Sequence, residues 1–309
     1  MKTIKSYFVG GRPLQLQGIP APERVRVPGE RPVALQMNGM HMVGQMYAQH
    51  FCLQQPQSPY PVVLIHGGGL SGSFWESDAY GEEGWLHKFL RAGFDTVVTD
   101  AFERGRSGFP AVPHVLSEAP HHRTLEEMWH AFRLGPVAGF RPGDLRHGHA
   151  GQQFPVERFE WYAQRFVPRW TNTEQQTLAA YEELIRQLGP CMLVGHSQGA
   201  FYSLMLAQRL PDTVRRVVAI EPPAVPEGEP ACAYPPHLAV WGDYISQSEM
   251  WVRYRAKHVD WAEKLACGGG PGHAFIDLPA ENITGNSHLI VPDRNNQKIF
   301  ERILRWVQG

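Results

Sequence analysis

The chain has 309 residues and a formal net charge of −1 at pH 7, with 43% hydrophobic and 19% charged residues. This composition is typical of a globular protein with a large core and excludes a disordered chain. The near-neutral charge provides neither a basic surface for nucleic acid nor a polybasic patch for a membrane. No apolar stretch approaches the roughly 18 residues of a membrane span, so we expect no nucleic-acid or membrane partner.

The N-terminal residues carry positive charge but lack the apolar centre of a secretion signal. The expected location is therefore cytoplasmic, unless the chain is a trimmed form. The four cysteines are scattered without the spacing of a metal site: Cys52, Cys191, Cys232 and Cys267. They neither prove nor require disulfides.

The predicted elements begin with short strands of an antiparallel opening in the first fifty residues. The continuous apolar run Val62–Ile65 then predicts a buried parallel strand that leads into a glycine-rich loop at residues 66–69. Further strands are predicted over residues 94–100, 217–220, 237–241 and 274–277. Helices are predicted over residues 85–92, 175–188, 250–265 and 296–307. Strands that alternate with helices indicate an α/β protein, with a mostly parallel sheet and helices on both faces.

The pattern changes in residues 111–173, where prolines, glycines and histidines surround two predicted helices at residues 125–134 and 156–166. We interpret this segment as a helical cap insertion over a substrate pocket. Residues 1–110 and 174–309 then form the core. The alternative is a helical decoration that has no part in substrate choice.

A nucleophile elbow is predicted at the pattern Gly-x-Ser-x-Gly, which lies between a buried strand and an apolar helix. Its serine is Ser197, and the flanking glycines remove side chains that would clash in a sharp strand-to-helix turn. The helix that follows directs backbone N–H groups and the positive end of its dipole towards a developing oxyanion. The sequence therefore predicts a serine nucleophile.

The order of motifs resembles the α/β-hydrolase family from about Phe8 onwards. These motifs are His66-Gly67-Gly68-Gly69, Gly105-Arg106-Ser107 and Gly195-His196-Ser197-Gln198-Gly199. Further stretches resemble an atypical group of bacterial esterases within the family, whose acid is a glutamate one strand earlier than usual. They are Gly72-x-x-Trp75-Glu76, Gly84-Trp85, Glu221-Pro222, Gly285-Asn286-Ser287-His288 and Asp293-Arg294-Asn295-Asn296.

The base that would activate Ser197 is predicted to be His288, the last histidine of the chain, in a loop after the final strand. Two acids follow strands between Ser197 and this histidine, Glu221 and Asp243, and either could orient the imidazole. The residues alone leave that choice open. Asp243 has the position that most members of the fold use, whereas the resemblance to the atypical esterases implies Glu221.

The oxyanion hole requires two backbone N–H donors. One is expected at Gln198, directly after the nucleophile, and the other in the loop after the first parallel strand. Gly68 matches the family position in that loop, and Gly69 is the near alternative.

These residues favour a serine hydrolase that acts on a small or medium carboxylic ester through an acyl-enzyme. No cofactor or metal is expected, and the resemblance makes a homodimer plausible. A lactonase, an amidase or a carbon–carbon hydrolase could use the same triad. A non-catalytic receptor that binds a small ligand under the cap is the alternative from another class.

Overall fold

The computed structural model describes residues 1–309 except 110–114, 117, 137, 139, 141–146, 229–233 and 268–272. Part of the predicted cap and Cys232 therefore lie outside the described residues. Cys52 and Cys191 are buried free thiols. None of the described helices is both long and apolar enough to cross a membrane.

The strands, in chain order, are β1 (Thr3–Leu16), β2 (Glu23–Arg24), β3 (Val33–Ala34), β4 (Gly39–Cys52), β5 (Val62–Ile65), β6 (Thr96–Asp100), β7 (Cys191–His196), β8 (Val214–Ile220), β9 (His237–Trp241) and β10 (Ala274–Asp277). In the described part of the chain, eight of them form one sheet in the order β1-β4-β6-β5-β7-β8-β9-β10, while β2 pairs with β3. Strands β5 to β10 are mutually parallel, and β4 runs antiparallel to both β1 and β6.

The α-helices of the described residues are α1 (Ser73–Glu76), α2 (Trp85–Arg91), α3 (Leu125–Ala131), α4 (Phe159–Ala163), α5 (Glu174–Leu188), α6 (Gln198–Arg209), α7 (Glu249–Cys267) and α8 (Asn296–Gln308). The prediction of an α/β protein with a mostly parallel sheet is confirmed.

Alternate side chains of the central strands pack against two different groups of helices. Leu64 of β5 belongs to a buried cluster with Phe89 of α2 and Phe300 of α8. The preceding residue, Val63, belongs to a second buried cluster with Leu204 of α6. Because successive side chains of a strand point to opposite faces, these clusters place helices on both faces of the sheet.

The opening of the chain differs from its prediction, because its two main strands are long rather than short. Strands β1 and β4 have 14 residues each and pair continuously from Thr3↔Cys52 to Leu16↔Gly39. In β1 only Val9 and Leu16 are buried. With so few buried positions, β1 lacks the clear alternation of apolar and polar residues by which a half-buried strand is recognised in a sequence. The length of both strands comes from their pairing with each other.

The two helices of the predicted cap segment are shorter than expected. Helix α3 ends at Ala131, because Arg133 adopts a left-handed conformation with φ 56° that an α-helix cannot continue. Helix α4 begins only at Phe159, after a 3₁₀ turn over Val156–Arg158.

The carboxyl ends of the parallel strands bring the predicted site residues to one edge of the sheet. Gly68 follows β5, Ser197 follows β7, Glu221 follows β8 and Asp243 follows β9. In open α/β sheets, ligands bind in the crevice outside this edge.

Candidate active site

Ser197 lies at the sharp turn between β7 and α6, with φ 54° and ψ −123°. Its backbone N–H donates to the Ile220 carbonyl at 2.8 Å. A Cβ placed on Gly195 would lie 2.3 Å from the Gly199 carbonyl oxygen, and one on Gly199 would lie 2.3 Å from that of Ile65. Glycine is therefore required on both sides of the turn. A non-glycine residue at positive φ is uncommon and is concentrated at functional sites.

The two amides expected to bind an oxyanion belong to segments that approach each other closely near this turn. Gln198 is the first residue of α6, so its N–H has no acceptor within the helix. A Cβ on Gly68 would lie 3.2 Å from Gln198 Oε1, and one on Gly67 would lie 3.1 Å from Ser197 Cβ. Neither the Gly68 nor the Gln198 amide donates a hydrogen bond to a described residue. The alternative, Gly69, has φ 75°, and its carbonyl accepts from Val167 N at 2.8 Å.

His288 and Glu221 form a hydrogen-bonded pair in the interior, in which His288 Nδ1 donates to Glu221 Oε2. The Glu221 backbone has φ 48°, a second strained position at this edge of the sheet. Its other carboxylate oxygen, Oε1, accepts from Gly242 N at 2.7 Å and from an Arg133 guanidinium nitrogen. Glu221 is 0% exposed, so these donors replace the water that a carboxylate requires.

Asp243, the other predicted acid, makes different contacts. Its Oδ1 accepts from Tyr244 N at 2.7 Å, and its Oδ2 accepts from Gly285 N at 2.8 Å. Its own N–H donates to the Asn286 carbonyl at 2.8 Å. Asp243 thus ties the end of β9 to the loop before His288 and makes no hydrogen bond with the imidazole.

The residue before Ser197 contacts His288, although Ser197 Oγ makes no hydrogen bond with a described residue. The ring of His196, next to the serine, packs on the His288 ring with centroids 4.7 Å apart. His196 Nε2 also lies 2.9 Å from the His288 carbonyl oxygen. Burial lowers the pKa of His196 to about 3, so the neutral ring donates to that carbonyl.

Burial and nearby arginines set the pKa values of Glu221 and His288. Burial alone would raise the pKa of Glu221, but the Arg133 charge and the His288 hydrogen bond lower it to about 2. Burial lowers the pKa of His288, and the charges of Arg133 and Arg123 act in the same direction, while Glu221 opposes them. Near neutral pH the arrangement therefore combines an ionised carboxylate with a neutral imidazole that can accept a proton.

Arg133 is a site residue that the sequence does not reveal. It lies just after α3, in the predicted cap segment, and is 2% exposed. Besides its bond to Glu221, its Nε donates to the Asp243 carbonyl at 2.7 Å, and its guanidinium lies 4.9 Å from the Trp251 ring centroid. No local motif marks it, because its partners follow 88 and 110 residues later.

The loop that carries His288 is held by Asp293 and by Phe132. Asp293 accepts from Ser287 N at 3.0 Å, from Ser287 Oγ at 2.9 Å and from Asn286 Nδ2 at 2.9 Å. His288 N donates to the Phe132 carbonyl at 3.0 Å. The Phe132 ring stacks on the imidazole with centroids 5.6 Å apart and an interplanar angle of 20°. The segment after α3 thus contributes directly to the site.

One group of described residues could hold a metal ion: His50, Cys52 and Asp95, whose ligand atoms lie within 4.8 Å of one another. His50 and Cys52 lie on β4, and Asp95 lies just before β6. Because Asp95 precedes β6 whereas Ser197 follows the parallel strand β7, this group lies at the opposite edge of the sheet.

Comparison with known proteins agrees with this architecture. The sequence profile of a family described as having the alpha/beta hydrolase fold matches residues 60–251, which is more than half of the chain.

The chain belongs to the α/β-hydrolase fold family.

Two proteins resemble this hydrolase over more of its length than residues 60–251. A solved structure described as that of a novel bacterial esterase superposes with a TM-score of 0.84 at 29% sequence identity, and covers 99% of this chain and 95% of its own. A probable secreted lipase, phiG, from a fungal species (strain ATCC 74256) is 24% identical over 322 residues, and covers 85% of each chain. The hydrolase therefore has esterase and lipase relatives along most of its length.

Proposed function

We propose that this hydrolase cleaves small or medium carboxylic esters, with Ser197 as nucleophile, His288 as general base and Glu221 as the acid that orients it. The observation that carries the proposal is the buried bond from His288 Nδ1 to Glu221 Oε2, beside a serine at a left-handed strand-to-helix turn. A carboxylate on Nδ1 leaves Nε2 as the imidazole nitrogen that can take the serine proton. The similarity to an esterase and to a lipase supports the same class of substrate.

In the proposed reaction, Ser197 Oγ attacks the ester carbonyl carbon while its proton passes to His288 Nε2. The carbonyl oxygen becomes an oxyanion, which accepts hydrogen bonds from the amides of Gly68 and Gln198. Collapse of this intermediate breaks the bond to the alcohol oxygen, which takes the proton from His288. Water then attacks the acyl-enzyme, its proton passes to His288 and on to Ser197, and the carboxylic acid leaves.

Glu221 stays ionised throughout this sequence because the charge of Arg133 holds its pKa low. Its role is to fix the ring orientation of His288 and to stabilise the imidazolium that forms twice per turnover. This scheme requires no cofactor or metal. The expected homodimer and cytoplasmic location stay predictions, for which sedimentation and cell fractionation are the measurements.

The first experiment is hydrolysis of short and medium p-nitrophenyl esters, with and without a serine-reactive phosphonate, followed by mass mapping of the adduct. We expect turnover that the phosphonate abolishes, with the label on Ser197. Ser197→Ala should lower kcat by about 10⁴-fold or more, because it removes the nucleophile. Ser246→Ala, an exposed serine, is the matched control and should retain full activity.

The other outcomes identify the competing functions. Full activity in the Ser197→Ala variant would overturn the proposal. A label without ester turnover would direct the search to lactones, amides and carbon–carbon substrates. Neither label nor turnover, together with stoichiometric ligand binding, would indicate a receptor.

A further inference from the structure

Two arginines lie beside the proposed oxyanion hole and a third lies near them, and none of the three takes part in the proposed reaction. Arg104 follows β6, Arg123 precedes α3, and Arg169 precedes α5. Arg104 Nη2 lies 3.4 Å from Gln198 Oε1. A Cβ placed on Gly68 would lie 2.8 Å from Arg169 Nη1, so this guanidinium lies directly against the Gly68 backbone.

The position of Arg169 is set by its backbone and by its neighbours. Its N–H donates to the His121 carbonyl at 3.0 Å, and its own carbonyl accepts from His121 N at 2.7 Å. Next to it, the indole N–H of Trp170 donates to the Glu118 carbonyl at 2.6 Å, and the Trp170 ring is buried. Two residues earlier, Val167 N donates to the Gly69 carbonyl at 2.8 Å. These contacts hold the Arg169 backbone next to the glycine loop, against which its guanidinium lies.

The charge of Arg169 has no counterpart in the described protein. Arg104 pairs with Glu103 at 2.6 Å and Arg123 pairs with Glu127 at 2.8 Å. The Arg169 side chain forms no ion pair and donates no hydrogen bond to a described residue, and its buried Nε has no partner. A half-buried charge without a partner is costly unless a ligand supplies one.

The two neighbouring arginines also have donors to spare. Arg104 Nη1 and Arg123 Nε are buried and have no hydrogen-bond partner. Burial lowers the pKa of Arg169, and the charges of Arg123 and Arg104 lower it further. Glu103, the carboxylate whose charge acts on Arg169, already accepts from Thr173 Oγ1 at 3.1 Å as well as from Arg104. Among the described residues, donors and positive charge thus converge beside Gly68, where the Arg169 guanidinium is paired with no carboxylate.

We propose that Arg169, with Arg104 and Arg123 beside it, forms an anion subsite that binds a carboxylate of the substrate. This inference rests on the proposed function and specifies its substrate class: half-esters of dicarboxylic acids. Guanidinium groups suit this role because their N–H fork matches the two oxygens of a carboxylate. Because Gly68 is expected to bind the acyl carbonyl oxygen, the carboxylate lies on the acyl part, a few bonds from the ester carbon.

The test compares two esters of the same size, phenyl hydrogen glutarate, which is anionic, and phenyl glutaramate, its neutral amide. We expect the wild-type kcat/KM to be about 30-fold higher for the anionic ester than for the neutral one. This ratio corresponds to the binding free energy of one hydrogen bond between charged groups. Arg169→Met should abolish this preference by raising KM for the anionic ester only, since the contact is made equally in ground and transition states. Arg169→Lys should restore part of it.

Arg186→Met is the matched control, because it removes the same charge from a side chain that is 61% exposed on α5. It should leave the preference unchanged. An equal loss of kcat on both esters in the Arg169→Met protein would overturn the inference and make Arg169 a third oxyanion donor. A wild-type enzyme that hydrolyses both esters equally well would also overturn it, while the proposed function would stand.

A binding measurement separates this inference from the proposed function. Glutarate should raise the thermal midpoint of the wild-type protein, and glutaramide at the same ionic strength should not. The shift should disappear in the Arg169→Met variant. If glutarate binds in this way but no ester is hydrolysed, the anion subsite stands and ester hydrolysis is wrong. If glutarate does not bind, the subsite is wrong.

Discussion

The guanidinium of Arg133 donates a hydrogen bond to the carboxylate of Glu221, and both side chains are almost completely buried. The pair joins the segment after α3 to the end of β8. The positive charge of Arg133 lowers the pKa of Glu221 to about 2, although burial alone would raise it. The carboxylate that faces His288 therefore depends on a residue of the predicted cap.

Replacing the two acids separately should identify the one that orients His288. Glu221→Gln should lower kcat by about 10³–10⁴-fold, because an amide does not stabilise the imidazolium. Asp243→Asn should keep kcat within about threefold and lower the free energy of unfolding by about 1–2 kcal/mol, since it weakens the bonds to Tyr244 and Gly285. Steady-state kinetics and urea unfolding measure both. The reverse ranking of kcat would make Asp243 the acid.

The pH profile of kcat/KM should respond to Arg133. The wild-type acid limb should have its midpoint below 6.5, because His288 must be neutral and burial lowers its pKa from that value. Arg133→Met removes a positive charge that disfavours the imidazolium, so the midpoint should move to higher pH. Arg133→Lys, which keeps the charge, should move it less.

The same Arg133→Met variant should lower the free energy of unfolding by about 3–5 kcal/mol, because it leaves the Glu221 charge buried without that partner. Urea unfolding measures this loss. A purely structural role for Arg133 would reduce stability but leave the midpoint of the acid limb unchanged, and that result would contradict its effect on the pKa of His288.

The stack of Phe132 on His288 should matter for catalysis beyond its effect on packing. Phe132→Leu should lower kcat by about tenfold, because the imidazole loses a surface that restricts its rotation. Phe154→Leu is the matched control, since this buried ring packs on Phe159 and Tyr162 instead. Both variants should lose about 1–2 kcal/mol of stability. Equal kcat values for the two variants would show that the stack has no catalytic effect.

Asp293 should make the stability of the fold depend on pH. Burial raises its pKa to about 7 from an ordinary 3.8, in spite of three hydrogen-bond donors. Its contribution to stability is therefore complete below about pH 3.8 and is lost as the pH rises through 7. The unfolding free energy of the wild type, relative to Asp293→Asn, should fall between pH 4 and 7 by at most ~1.4 kcal/mol per unit. Urea unfolding at several pH values measures this difference, and an increase with pH would contradict the prediction.

Much of the fold follows from local patterns in the chain. Apolar runs such as Val62–Ile65 are long enough and apolar enough to specify buried strands, and their alternation with helices specifies a parallel sheet. The long hairpin of β1 and β4 is different. Most of its side chains are exposed, so its length depends on pairing between segments that are far apart in the sequence.

At the site, local sequence was enough to locate the turn that carries Ser197, because the glycines that this turn requires are its near neighbours in the chain. It left the choice between Glu221 and Asp243 open, since both follow parallel strands at the same edge of the sheet. The carboxylate that contacts His288, and the positions of Arg133 and Arg169 beside the site, became visible only in the folded chain. Those contacts join residues far apart in the chain, and packing rather than local sequence brings them together.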